Sequence, residues 1–487
     1  MTPFLRCLLF SMTLCVHVRA SAEMTIDGDR LTVTTKALRI RFQGGEIVEI
    51  TNRLTGAPFA YGTRRLPPVT GFLTADDQSV PARSDGWRRG REGEDKPEAA
   101  QTVLKGPEYT AWLNVRIDRE TDDVVLGLWG ESSGPAIAGL RLALRNLDLS
   151  AGRLILPTAD GTTYSNKDSR IEARWTYPNA WLAGMLVWEG REGGLVVYAR
   201  DTTFTARAVQ LRRREGYLDL GLETLASRRR EGQTSVPYFE WRINAFRGAA
   251  SVPISGYRGV MRFLWPRAVP PDPRLWAGQI ARIVEVPSSA NQAWLDHLPA
   301  SEPPARTLLV LRDWADSGSP EYRMKDSAAR FIGDAHSKGF YVMVPIAVQH
   351  ALAGWRGLTD VMRLRPNSAG APESDPVPVH PGSAAWRKAL ILGLTRAFEG
   401  EKPDALLIDD ASTVPLEADV GTGVSGLEGM TTLVRDLQSK FSDMVLGSNG
   451  LYETLLPYVR FAKGRPSPEQ RTPSITEALF QDFVIWF

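Results

Sequence analysis

The run Ala405-Leu406-Leu407-Ile408 stops abruptly at Asp409-Asp410. A short, wholly apolar run reads as a strand buried on both faces, and a carboxylate at its end is a group the strand can deliver to a site. Successive strand residues point to opposite faces, so one aspartate enters the site while the other caps a helix or holds an arginine. Asp409 is favoured over Asp410; loop or capping roles for both form the competing reading. Polar groups close other apolar runs in the same way: Arg312-Asp313-Trp314 after Thr307 to Leu311, Gln349-His350 after Tyr341 to Val348, and Ser448-Asn449, with Tyr452-Glu453 just beyond, after Val445-Leu446. Carboxylates with an aromatic and a histidine at successive strand ends fit glycoside hydrolysis. That reaction needs one carboxylate as nucleophile or base, one carboxyl kept protonated by burial or a neighbouring charge, and aromatic faces against sugar C–H groups. The candidates are Asp409, Glu453 and Asp410 for catalysis, and Asp313, Trp314, His350, Asn449 and Tyr452 for substrate contact. Bland readings stand beside them: Glu453 as a surface residue opening a helix, Asp313 and Trp314 as turn and core residues, and Trp386 as core.

The elements that must position these residues fall into two parts. From about 24 to 260 the pattern has period two, with strands such as Leu38 to Phe42, Trp112 to Ile117, Val124 to Trp129, Leu195 to Tyr198 and Leu218 to Leu222 between Gly, Asp, Asn and Pro clusters. This predicts a large antiparallel β-sandwich over 23–262. Arg212–Gly216 and Arg228–Gly232 read as solvated hairpin turns. A proline-rich connector, 263–278, follows. From 279 to 487 strand-like and helical runs alternate, with helices over Lys325 to Lys338, Ala384 to Phe398 and Leu427 to Phe441, which predicts a parallel sheet and a TIM-type (β/α) barrel. Tyr452 to Val459 reads as a short helix and Ile475 to Phe487 as helical. Only 39 residues follow Ser448, the expected end of strand five. Three more βα units need roughly 80 to 100, so the barrel is expected to be truncated at its C-terminal end, or else to be a partial α/β layer closed by another element.

Composition narrows the function further. Of 487 residues, 43% are hydrophobic and 23% charged, which is globular composition. Lys plus Arg number 58 against 56 Asp plus Glu, so no long-range field favours nucleic acid or an anionic membrane as partner. Arg6, an apolar run from Cys7 to Val18 and Ala20-Ser21-Ala22 predict an export signal over 1–22 cut after Ala22, hence a secreted or periplasmic protein without a membrane span. Cys7 and Cys15, the chain's two cysteines, lie inside that signal, so the mature chain has no disulfide, thiolate metal site or cysteine nucleophile. His297, His336, His350 and His380 lack zinc-site spacing, and no nucleotide-binding loop is evident. No metal and no cofactor is expected.

An exported chain with a large sandwich, a proline-rich connector and a barrel whose fourth strand reads Leu-Leu-Ile-Asp-Asp resembles bacterial glycoside hydrolases with a galactose-mutarotase-like sandwich before a (β/α)8 domain. It is similar to endo-α-N-acetylgalactosaminidase-like and amylase-like barrels and to uncharacterised relatives. In motifs the resemblance covers some 40 residues, from Asp409 to Glu453. It implies a retaining hydrolase of an oligo- or polysaccharide with the strand-four nucleophile at Asp409 and an acid/base near the end of strand five. There the chain departs from the pattern, reading Leu446-Gly447-Ser448-Asn449-Gly450. Three alternatives stay open: Glu453 takes the role through a shifted loop, the acid lies on further strands, or the protein is a non-catalytic carbohydrate-binding protein on a degenerate barrel. The resemblance further implies that the sandwich supports the barrel and helps wall the site, where Trp175 and Tyr177 are candidates.

Overall fold

The computed structural model describes residues 22–60, 70–76, 78–90, 99–168, 172–214, 216–226, 234–266, 272–287, 292–298, 303–364, 376–416, 423–464 and 474–487. The expected export signal and the Arg228–Gly232 turn lie outside the described residues, apart from Ala22 at the signal's end.

Period-two alternation gives two large sheets, of eleven and ten strands, antiparallel but for one parallel bridge between Leu144 and Ile47. Tyr109–Asp118 shows the pattern at its cleanest, each second side chain buried. Leu113, Val115, Leu126, Leu142 and Leu220 from the two sheets share one apolar core. Around the expected Arg212–Gly216 turn, Arg212 to Arg214 pair antiparallel with Tyr217 to Asp219, and Gly216 has φ 90°; Glu215 lies outside the described residues.

A helix, α1 (Ser251–Leu264), leads out of the sandwich and packs on the C-terminal helix α6 (Ile475–Phe480). Arg258 and Arg262 of α1 both bind Asp482 just beyond it. After α1 the chain forms a seven-stranded parallel sheet in sequential order: β1 (Arg282–Val286), β2 (Thr307–Leu311), β3 (Tyr341–Ile346), β4 (Ala405–Ile408), β5 (Val445–Asn449), β6 (Val459–Lys463) and β7 (Ile485–Trp486), the last beyond α6. The other helices are α2 (Gln292–Asp296), α3 (Asp326–Ser337), α4 (Ala384–Ala397) and α5 (Gly426–Lys440). The central strands, β2 to β5, are buried on both faces. Leu406, Ile408, Val342 and Leu446 pack with Phe331, Leu390 and Leu433 of the helices. Leu407, Ala405, Val310, Met343 and Phe461 form a separate inner cluster with Ala277 from the 3₁₀ segment Asp272–Gln279. Helices on one side and a plugged inner side make this half of a barrel. Among the described residues no pairing joins β7 to β1.

Two expectations change. Tyr452 to Val459 is not a helix but a 3₁₀ turn, Glu453–Leu455, leading straight into β6. The helical stretch from Ile475 ends at Phe480 and gives way to β7. The β5–β6 link has no full helix, so sixth and seventh strands fit in the space that βα units of ordinary length would overrun. Two of the three further strands are thus present, and among the described residues the sheet stays open with seven strands.

The close approach of α4 to the chain at Pro320 gives a stability test. A Cβ on Gly393 would overlap the Pro320 carbonyl oxygen. Alanine in a helix interior normally stabilises by about 1 kcal/mol over glycine, but backbone cannot yield as a side chain can. Gly393→Ala is expected to lower stability by about 1–3 kcal/mol in urea unfolding; an increase would show the contact to be loose.

Candidate active site

Alternation decides which strand-end groups meet. Asp409 continues the inner face of Ala405 and Leu407, and by the same count Glu285, Arg312, Asn449 and Lys463 continue the inner faces of β1, β2, β5 and β6. Their side chains form one chain of contacts. Asn449 donates through Nδ2 to the Asp409 carbonyl at 3.0 Å and to Oδ1 at 3.3 Å. Arg312 Nη1 reaches Asp409 Oδ2 at 3.3 Å. The rest of that guanidinium grips Glu285, Nε to Oε2 at 2.8 Å and Nη2 to Oε1 at 3.1 Å, and Lys463 Nζ binds Glu285 Oε1 at 2.6 Å. Hydrogen bonds from Arg312 and Lys463 hold the Glu285 carboxyl at a pKa of about 2, so it is ionised at any working pH. The Asp409 side chain is 36% exposed and its backbone N–H is fixed to the Ile346 carbonyl at 3.0 Å. A partly open carboxylate, located through both oxygens at the end of a rigid strand, can serve as a nucleophile or stabilise a developing cation.

Asp410 faces the other way and ties down the end of β3. Its carboxylate accepts the backbone N–H of Val348 and of Gln349, the latter at 2.7 Å, and His350 Nδ1 lies at 3.2 Å. Gln349 Nε2 in turn donates to the carbonyls of Asp410 and Thr413. The Asp410 carboxylate raises the His350 pKa above its ordinary 6.5 against the opposing effect of burial.

Other candidates stand apart. Glu453 is 3% exposed and turned toward the sandwich. It accepts from Arg207 Nη2 at 2.8 Å, the Tyr257 hydroxyl at 2.6 Å and the Gly184 N–H at 3.1 Å, while its own N–H donates to the Leu182 carbonyl. A carboxylate so enclosed has no path to a sugar at the strand ends. Trp314 is core: its indole donates to the Pro345 carbonyl at 2.8 Å and its ring stacks on Tyr322. Asp313 points outward to Lys325. Tyr452 is buried, and its hydroxyl has no hydrogen-bond partner among the described residues. Tyr177 is buried under the Arg207 guanidinium, 3.6 Å from the ring centre, whereas Trp175 is partly exposed beside Tyr164.

Sequence reasoning missed Glu285, Lys463 and the part played by Arg312. Glu285 had a signal, a charge on the same face as Ile283 in the strand Arg282–Val286. Lys463 was hidden because the expected helix runs to Val459 and no strand is expected after it. Among the described residues no group of three or more His, Cys, Asp or Glu is placed to hold a metal, and no helix is long and apolar enough to cross a membrane.

No family model and no curated protein matches the chain. Solved structures do. The chain is similar to the α-N-acetylgalactosaminidase NagBb from Bifidobacterium bifidum, solved with GalNAc, at a TM-score of 0.72 and 12% identity over 93% of this chain and 83% of that one. It is similar at a TM-score of 0.52 and 10% identity to the GH36 α-galactosidase AgaB from Geobacillus stearothermophilus, over 90% of this chain and 75% of that one. The shared feature is the fold.

The His350–Asp410 contact gives a titration test. A folded pKa above the unfolded value means that the pair stabilises the protein below about pH 6.5 and that this contribution fades as pH rises through the higher folded value. An NMR titration is expected to place the His350 midpoint above 6.5 and to lower it in Asp410→Asn; an unchanged midpoint would show the contact to be electrostatically idle.

Proposed function

We propose that the chain is an exported glycoside hydrolase of α-linked galactose-type sugars, N-acetylgalactosaminides or galactosides, with Asp409 as the nucleophile of a retaining reaction. The observation that carries this is Asp409 itself. It stands on the inner face at the end of the fourth parallel strand, held by Asn449 and Arg312, in a chain whose fold resembles that of enzymes named for action on those sugars.

In this reading an Asp409 oxygen attacks the anomeric carbon as the glycosidic bond breaks, and water later releases the sugar with its original configuration. His350 lies next to this strand end, and Asn449 orients the nucleophile. Neither Glu453 nor Glu285 is assigned as acid, the first because its oxygens are engaged at the sandwich, the second because two cations keep it ionised. Nitrophenyl glycosides therefore make the cleaner test, since a phenolate leaves without a proton.

Wild-type protein is expected to hydrolyse nitrophenyl α-N-acetylgalactosaminide or α-galactoside. Asp409→Asn is expected to lose at least ~10³-fold in kcat, and Asp409→Gly with added azide to yield the β-glycosyl azide. Sugar binding by calorimetry with no turnover would leave a non-catalytic carbohydrate-binding protein, and no binding at all would remove the sugar reading. N-terminal sequencing of exported protein is expected to begin at Glu23; an intact Met1 would refute cleavage.

A further inference from the structure

We propose that the sandwich sets the position of Asp409 and Asn449 through a two-armed clamp, with Arg207 and Asn179 as positioning residues; this rests on the glycosidase reading for its kinetic consequence. The first arm runs from Arg207, 1% exposed, through Glu453 to Asn449. Arg207 Nη1 is anchored on Asp201 at 2.8 Å, its face lies on the Tyr177 ring, and Nη2 holds Glu453. Gly184 N–H and Tyr257 fix the remaining Glu453 oxygen, so its backbone has no freedom to slide. Four residues earlier in the chain is Asn449, whose amide holds Asp409.

The second arm is Asn179. Its side chain exchanges two hydrogen bonds with the backbone of Val414, Nδ2 to the carbonyl at 2.9 Å and Oδ1 from the N–H at 2.7 Å. Val414 lies in the loop that leaves Asp409 and Asp410. The two gripped loops also lock to each other: Gly450, at φ 90°, sits where a Cβ would come within 2.6 Å of the Ser412 Cα. One short sandwich segment, 177–184, thus supplies Asn179 to the strand-four loop and the Leu182 and Gly184 backbone to the strand-five loop. An interface needed only for cohesion could be apolar. This one instead spends directional bonds on the two loops that carry the site.

The test uses Asn179→Ala, which removes the Val414 bonds without leaving a buried charge, and Arg207→Lys, which keeps the charge but loses the fork. Kinetics on nitrophenyl glycosides and hydrogen exchange over residues 405–416 and 445–456 are read on the same preparations, with thermal unfolding as a check on folding. Expected for Asn179→Ala is a ~10-fold or larger fall in kcat with KM within about threefold, since small misplacements of reacting groups are costly, and faster exchange in both segments. Arg207→Lys should do the same where it folds. Wild-type kcat and unchanged exchange in Asn179→Ala would overturn the clamp. If wild-type protein cleaves no glycoside, the glycosidase reading fails separately and the exchange result alone decides whether the sandwich positions these loops.

Discussion

A guanidinium buried as deeply as Arg207 must find its counter-charges inside the protein, and this requirement fixes how the two halves of the molecule meet. Asp201 comes from the loop just before the strand that carries Arg207, Glu453 from the loop between β5 and β6, and the Tyr177 face covers the remaining side. Such a pair adds little net stability over well-packed apolar groups, because desolvation offsets most of the attraction, but losing one partner strands the other at a cost of about 3–5 kcal/mol. The interaction is therefore better at specifying one arrangement than at gluing two surfaces. Burial and the Glu453 charge also keep the Tyr257 phenol protonated, so it remains a donor to that carboxylate.

The same demand explains why Glu453 misled a reading based on residue type. A glutamate shortly after strand five fits an acid/base by chemistry and position in the chain. What distinguishes a sugar-facing carboxyl from an interdomain one is the direction in which its loop turns, and that is set by Arg207, 246 residues away in sequence. No local pattern carries this information. Trp314 and Tyr452 failed for a related cause: an aromatic beside a strand end is as useful for sealing the helix layer as for receiving a substrate, and here both rings are buried.

Where short-range geometry rules, the sequence was legible. The sandwich, the parallel sheet, α3, α4 and α5 follow from hydrophobic period, and the opposite facing of Asp409 and Asp410 follows from the period of two along a strand. The β5–β6 connection was illegible because Glu453-Thr-Leu makes one tight turn where a helix is customary, and Val459-Arg-Phe-Ala-Lys463 is too short and mixed to announce a strand. That misreading removed Lys463 from view and, with it, the cation that completes the Glu285 site.

Glu285 gives the strand-end cluster its electrostatic logic. Two cations and two carboxylates meet there, but they are not shared equally. Arg312 spends two donors on Glu285, at 2.8 and 3.1 Å, and reaches Asp409 with one at 3.3 Å, beyond the ordinary 2.7–2.9 Å of a charge-assisted bond. Lys463 reinforces the same preference from the other side. A guanidinium with Asp409 as its sole counter-charge would settle on it bidentately and tie up its lone pairs. With Glu285 taking the stronger share, Arg312 orients Asp409 while engaging it only lightly; in the proposed glycosidase this keeps the carboxylate available to a cationic sugar carbon, within a cluster of two cations and two carboxylates.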